Sequence, residues 1–233
     1  MSRQRWAEVD GYIGDLLVGE DPALDAALQA SSEAGLPPIA VSPAQGKLLY
    51  LLARMQRASS ILEVGTLGGY STIWLARALA DDGRLITLEL DPGYAKVAAA
   101  NVERAGLAGL IDIRVGRAID SLDALVAEAG APFDLVFIDA DKQSTPEYFQ
   151  RALELSRPGA VIVTDNVIRD GALIDADSDD PGVQGNRRFH ELLAAERSGA
   201  QRVSATTIQT VGSKGYDGFT LALVDGGESG RAA

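Results

Sequence analysis

Along the chain, apolar positions change period near residue 59. Before it they recur at helical spacing over Arg3–Val18 and Asp21–Ala34, with Asp21-Pro22 as an N-cap followed by proline at the first helical position. Gly35-Leu-Pro37-Pro38 ends that segment. Ser42-Pro43-Ala44-Gln45 then opens a third helix, with a capping box, running to about Gln56. After residue 59, short apolar runs read as strands: Ser60–Val64, Arg84–Leu90, Ile111–Val115, Asp134–Asp139 and Ala160–Asp165. Helical patterns at about 70–81, 92–105, 118–129 and 144–155 separate them, and glycines or prolines mark most junctions. Strands alternating with helices of this length predict βαβ units and a parallel sheet.

The rule breaks in the last third. A helix over Gly185–Glu196 leads into two strands, Arg202–Thr210 and Gly218–Val224, joined by a Gly212-Ser-Lys-Gly215 turn. That is a hairpin, which adds an antiparallel strand at the sheet edge. Gly171 to Gly185, with acids at 175, 177, 179 and 180, is the one long polar loop and a candidate mobile lid. The last eight residues are expected to fray. The predicted fold class is α/β: a Rossmann-like, doubly wound sheet of seven strands in one domain, with added N-terminal helices.

Composition narrows the functional classes. The chain has 233 residues, enough for one α/β domain with a full core, and its 46% apolar and 23% charged shares are those of an ordinary globular protein. A net charge of −12 argues against nucleic acid as a partner, because phosphate binding needs a basic face. No apolar run approaches a membrane span, and the charged N-terminus is not that of a signal peptide. Without cysteine there is no disulfide, thiolate nucleophile or thiolate metal site, which fits a cytoplasmic protein.

The candidate chemistry sits at strand ends. Glu63-x-Gly65-x-x-Gly68-Gly69 follows the first strand and runs into a helix at Tyr70. Gly65 and Gly69 let the backbone turn tightly and approach a ligand where a Cβ would clash. The spacing differs from the dinucleotide fingerprint and resembles the first motif of the class I S-adenosylmethionine (SAM) methyltransferases. Glu89 ends the second strand, where an acid about 20 residues after a glycine turn accepts bonds from ribose hydroxyls. Asp91 reads as the N-cap of the next helix.

The next two parallel strands each deliver acids at the edge where open parallel sheets bind ligands: Asp139 from one, Asp165 with Asn166 from the other. The structural alternative is that they only cap helices. Converging, the three are hard oxygen ligands suited to Mg²⁺, and the absence of histidine and cysteine from the set disfavours zinc. Lys142 lies in the loop over the same edge. A nearby divalent cation disfavours its positive charge and suits it to act as a general base; the alternative is a solvated loop lysine. The single histidine, His190, reads as structural or surface with no catalytic role, Trp6 and Trp74 as packing, and Ser144–Glu147 as a capping box. No G-x-S-x-G elbow is present, so hydrolase chemistry is not indicated.

Together these residues resemble the metal-dependent small-molecule O-methyltransferases, the family of the catechol and caffeoyl-CoA enzymes. The likeness covers about residues 35 to 225 and rests on Glu63–Ser71, Glu89, Gly116-Arg117-Ala118, Asp139-x-x-Lys142, Asp165-Asn166 and the Gly212–Gly218 hairpin. The resemblance implies that Val41, Glu63, Gly65, Tyr70 and Ser71 line the methionine end of SAM. Glu89 would hold the ribose, and Arg117 with Ala118 would edge the adenine. Asp139 would lie near the cofactor's amino group and also bind the metal, with Asp165 and Asn166. Lys142 would be the base, the acceptor a small aromatic dihydroxy compound, and the assembly a homodimer with the N-terminal helices at the interface or over the site.

Two departures from that family stand out. The tryptophan that precedes the lysine in animal catechol enzymes is Asp141 here, a further candidate for metal or substrate contact, and an upstream tryptophan is Pro37. No counterpart of their late acid on the second catechol hydroxyl is found either. A nicotinamide-dependent oxidoreductase and a cofactor-binding dimer without activity are the alternative readings, disfavoured by the glycine spacing and by the intact Asp-Asn pair and Lys142.

Overall fold

The computed structural model describes residues 2–80, 82–199 and 201–226. Of the last eight residues, expected to fray, all but Gly226 lie outside the described ones. The N-terminal helices are α1 (Arg3–Ile13), continued by a π-helical turn Gly14–Val18, then α2 (Pro22–Glu33) and α3 (Pro43–Gln56). The alternating part comprises β1 (Ser60–Val64), α4 (Tyr70–Ala76), β2 (Arg84–Glu89), α5 (Pro92–Arg104), β3 (Ile111–Val115), α6 (Ala118–Glu128), β4 (Phe133–Ile138), α7 (Thr145–Leu155) and β5 (Ser156–Asp165). It closes with α8 (Pro181–Ser198), β6 (Val203–Gly212) and β7 (Gly215–Val224).

Among the described residues the sheet has seven strands in the order β3-β2-β1-β4-β5-β7-β6, with β7 antiparallel to both neighbours. This is the expected Rossmann-like, doubly wound arrangement. Chain direction across the sheet reverses between β1 and β4, the place where such sheets bind ligands. Every residue of β1 and β4 is buried, because helices cover both faces there. One core cluster includes Phe149 and Phe189, stacked edge to face with centroids 5.1 Å apart, and the other is built around Leu49, Ile61, Ile73 and Phe137.

Several boundaries differ from the pattern-based expectation, each for a tertiary reason. The helix expected over 70–81 ends at Ala76, and Ala80 N–H donates to Ala58 O at 3.2 Å, returning the chain to the sheet. β5 starts at Ser156 and runs through Pro158-Gly159, a pair that reads as a break. A shift in register against β4 between Phe133 and Leu135 absorbs it as a bulge. α8 begins at Pro181, capped by Asp180 Oδ1 accepting from Gly182 N–H at 2.7 Å, so the polar loop is Gly171–Asp180 rather than 171–185. The 144–147 capping box does not form. Asp141 accepts the Ser144 N–H instead, at 3.1 Å.

Candidate active site

The turn after β1 is a glycine turn because backbone fills the space where a side chain would go. Gly65 has φ +100°, and a Cβ on it would lie 2.1 Å from Asp139 O, in the loop after β4. Val64 O accepts the Asp139 N–H at 2.8 Å, which holds the two strand tips together. Gly69, at φ +82°, caps α4. Above these tips lies a cavity of about 870 Å³, running from Glu89 and Arg117 across Gly65 to Asp139, Lys142 and Asn166.

Most of the predicted site residues line this cavity. Val41, Gly65, Tyr70 and Ser71 form its middle, with Glu89, Arg117 and Ala118 at one end and Asp139, Lys142 and Asn166 at the other. Glu63 and Asp165 do not line it. Both lie beneath its wall, only 0% and 5% exposed.

Glu63 is the buried anchor of the glycine turn. Ser71 Oγ donates to its Oε1 at 2.6 Å, and Thr72 and Thr87 hydroxyls donate to Oε2 at 2.5 and 2.7 Å. Burial pushes its carboxyl up to about 7, although the hydroxyl bonds pull the other way. Unfolded, the same carboxyl titrates near its ordinary 4.5. The folded state therefore holds an extra proton between those values, so stability falls as pH rises through that window and levels off above about 7. The span corresponds to roughly 3 kcal/mol. Glu63→Gln should flatten this dependence, read as urea midpoints at pH 5 and pH 8. An unchanged pH profile in the variant would rule out Glu63 as its source.

Glu89 organises the same turn. Its Oε2 accepts the Thr66 and Leu67 N–H groups at 3.2 and 2.8 Å, and its Oε1 accepts Asp91 N–H at 2.9 Å. Asp91 caps α5 as expected, accepting from Gly93 and Tyr94 N–H.

At the other end, Lys142 Nζ donates to Asp139 Oδ1 at 2.7 Å, with the lysine side chain only 10% exposed. Asp165 Oδ2 accepts from Gln45 Nε2 at 2.7 Å, and its Oδ1 from Asn166 N–H at 2.9 Å. Burial first, and the charge of Asp139 second, push the Asp165 carboxyl up to about 7. Two carboxyls are thus crowded together beside an amide side chain, a donor set of hard oxygens that a small divalent cation fits. Among the described residues no three His, Cys, Asp or Glu side chains gather as a metal cluster. Asp141 is committed elsewhere: its Oδ1 accepts the Tyr148 hydroxyl at 2.5 Å and its Oδ2 the Ser144 N–H.

Pattern reading missed three participants. Gln45, read as half of a capping box, reaches Asp165; Ser42 Oγ alone caps α3, accepting Gln45 N–H at 3.2 Å. Asn186 Nδ2 donates to Asn166 O at 2.9 Å, steadying a residue at φ +54°. Arg169 lines the cavity beside Asn166. His190 is structural as expected, bonding Asn186 O at 2.8 Å and Thr207 Oγ1 at 2.9 Å.

A glycine turn over the reversal point of a doubly wound sheet, with acids at the adjoining strand tips, defines a cofactor-binding enzyme of the class I methyltransferase type. The chain belongs to the O-methyltransferase family, whose model matches residues 17–223. It is 57% identical over 224 residues to a catechol O-methyltransferase of Niastella koreensis, covering 96% of this chain and 100% of that one. Among solved structures it resembles the O-methyltransferase TomG from Streptomyces achromogenes, involved in tomaymycin synthesis and in complex with SAM. That match has 57% identity, covers 97% of this chain and 100% of the other, and has a TM-score of 0.92. An O-methyltransferase from Bacillus cereus in complex with SAH matches at 54% identity over 96% and 100% of the two chains, with a TM-score of 0.93. Family membership removes the nicotinamide alternative. No helix among the described residues is long and apolar enough to cross a membrane.

Proposed function

We propose that this chain transfers a methyl group from the sulfonium of SAM to one hydroxyl of a catechol, with a divalent cation, Mg²⁺, at Asp139, Asp165 and Asn166. The observation that carries the reading is Lys142 Nζ, held 2.7 Å from Asp139 Oδ1 at the end of the cavity away from Glu89 and Arg117. The cofactor end is built from Val41, Gly65, Tyr70 and Ser71 for the methionine part, Glu89 for the ribose, and Arg117 with Ala118 for the adenine. Glu63 contributes from beneath, through Ser71. Lys142 accepts the phenolic proton as the methyl carbon leaves sulfur and bonds to oxygen, so the products are the methyl ether and a neutral thioether. A cation held by Asp139, Asp165 and Asn166 would supply Lewis acidity toward the acceptor hydroxyl. The name of the Niastella relative supports the catechol class.

The test is methyl transfer to catechol and to phenol in Mg²⁺. Catechol is expected to be the better acceptor by at least about a hundredfold, since a single hydroxyl cannot chelate. Equal rates would sink the reading.

A homodimer belongs to the same proposal. An apolar groove of about 580 Å³, lined by Leu52, Met55, Val161, Leu221 and Leu223, runs between α3 and the β6–β7 hairpin, with Met55 79% exposed. A second copy covering that groove would give sedimentation at twice the 24.4 kDa chain mass, and a monomer at micromolar protein would exclude it.

A further inference from the structure

We propose that Arg169 sets acceptor specificity, and that the acceptor is a catechol carrying a carboxylate, which this guanidinium pairs. The proposal rests on the methyl-transfer reading above, and its test separates the two.

The cavity has two chemically different ends. The tips of β1, β2 and β3 form one, and the tips of β4 and β5 the other. The second end is lined by Asp139, Asp141, Lys142, Asn166 and Arg169, with Ile39 and Ala40 offering apolar surface. A ligand here meets the Arg169 guanidinium beside the Lys142–Asp139 pair. The acids beside them are already engaged: Asp139 by Lys142, and Asp141 by the Tyr148 hydroxyl and the Ser144 N–H. An ammonium on the acceptor would therefore approach the like charge of the guanidinium, whereas a carboxylate would find in it a donor fork suited to it.

Arg169 is held in place by its backbone. Its φ is +56°, a conformation that costs a non-glycine residue about 1 kcal/mol. One oxygen, Asp217 Oδ1, accepts the N–H groups of Ile168 at 2.9 Å and Arg169 at 3.0 Å, along with that of Gly218 at 2.9 Å. Nearby, Gly182 in α8 leaves room: a Cβ there would lie 3.4 Å from Lys142 Cβ and 3.9 Å from Arg169 Nε. Lys142 and Arg169 thus pack against the same glycine.

The ion pair Arg169 makes within the chain is weak. Its Nη2 is 3.6 Å from Asp180 Oδ2, the two side chains are 38% and 46% exposed, and the other Asp180 oxygen caps α8. A pair that long and that exposed is readily displaced by a bidentate ligand carboxylate.

The experiment compares a vicinal dihydroxybenzoate with the matching dihydroxybenzamide, which has the same shape without the charge. Affinity is measured by calorimetry on protein loaded with Mg²⁺ and S-adenosylhomocysteine, and kcat/KM by methyl transfer. The benzoate is expected to win by about tenfold or more in both. In Arg169→Met that ratio should fall to within about twofold, and Arg169→Lys should keep part of it. A ratio near one in the unaltered protein, or one that survives in Arg169→Met, overturns the proposal. An equal rise in KM for SAM with every acceptor also overturns it, by placing Arg169 at the cofactor. If the benzoate binds selectively through Arg169 yet neither compound is methylated, the assignment of Arg169 stands and the reaction falls.

Discussion

Stripping divalent cations with a chelator should lower methyl transfer by roughly ten thousandfold, whereas Lys142→Met should lower it by roughly a hundredfold. A phenol ionises near pH 10, and each unit by which a Lewis acid lowers that value is worth about 1.4 kcal/mol. Lowering by two or three units already leaves a large anion fraction at neutral pH, and fixing the ring in line with the methyl carbon adds a separate positional gain. With the cation bound, the base has little left to do, which puts Lys142 at the low end of the usual range for a proton acceptor. Excess Mg²⁺ should restore the chelated protein. Lys142→Arg should not rescue the lysine, because a guanidinium keeps its proton. Near-full turnover in chelator, or an active Lys142→Arg, would remove the mechanism.

Gly65→Ala should be the most damaging single methyl in the chain. At φ +100° an alanine is strained, and its Cβ would lie 2.1 Å from Asp139 O and 2.8 Å from Asp139 C. Those are backbone atoms, tied to β1 by the Asp139 N–H bond to Val64 O, so they cannot rotate away. Strain of 1–2 kcal/mol and overpacking of 1–3 kcal/mol together suggest a loss of about 3 kcal/mol. In a chain of this size that lowers Tm by roughly 10 °C. SAM affinity should fall with it, because the forced movement separates the two tips beneath the cavity. Gly116→Ala is the control: its φ is +143°, but nothing lies within 4 Å of the added methyl, so only strain applies. Comparable Tm values for the two variants would contradict the close approach of β1 to β4.

Local pattern carried far because the central strands are buried on both faces. Ser60–Val64 is found at the expected bounds, as is the part-exposed edge strand Ile111–Val115, and the acids at the tips of β2, β4 and β5 sit where a parallel sheet puts them. The pattern failed where a residue answers to a distant part of the chain. Gly182 read as a loop residue and Gly185 as the boundary between loop and helix, yet both lie inside α8. A Cβ on Gly185 would sit 2.1 Å from Lys142 O, so the glycine there answers to helix–loop packing rather than to a turn. Gln45 lies 120 positions from Asp165, and no spacing rule links them.

What the amino-acid order determined by itself is the alternation of strands and helices, the glycine turn and the set of acids brought to one sheet edge, since these depend on neighbours within a few positions. Only the tertiary structure decided which of those acids face the cavity. Glu63 and Asp165 are enclosed and Asp139 lines the wall, because burial depends on which strands pair and which helices cover them. The same long-range packing turned an unremarked loop residue, Arg169, toward the ligand space, where the charge of its surroundings gives it a role.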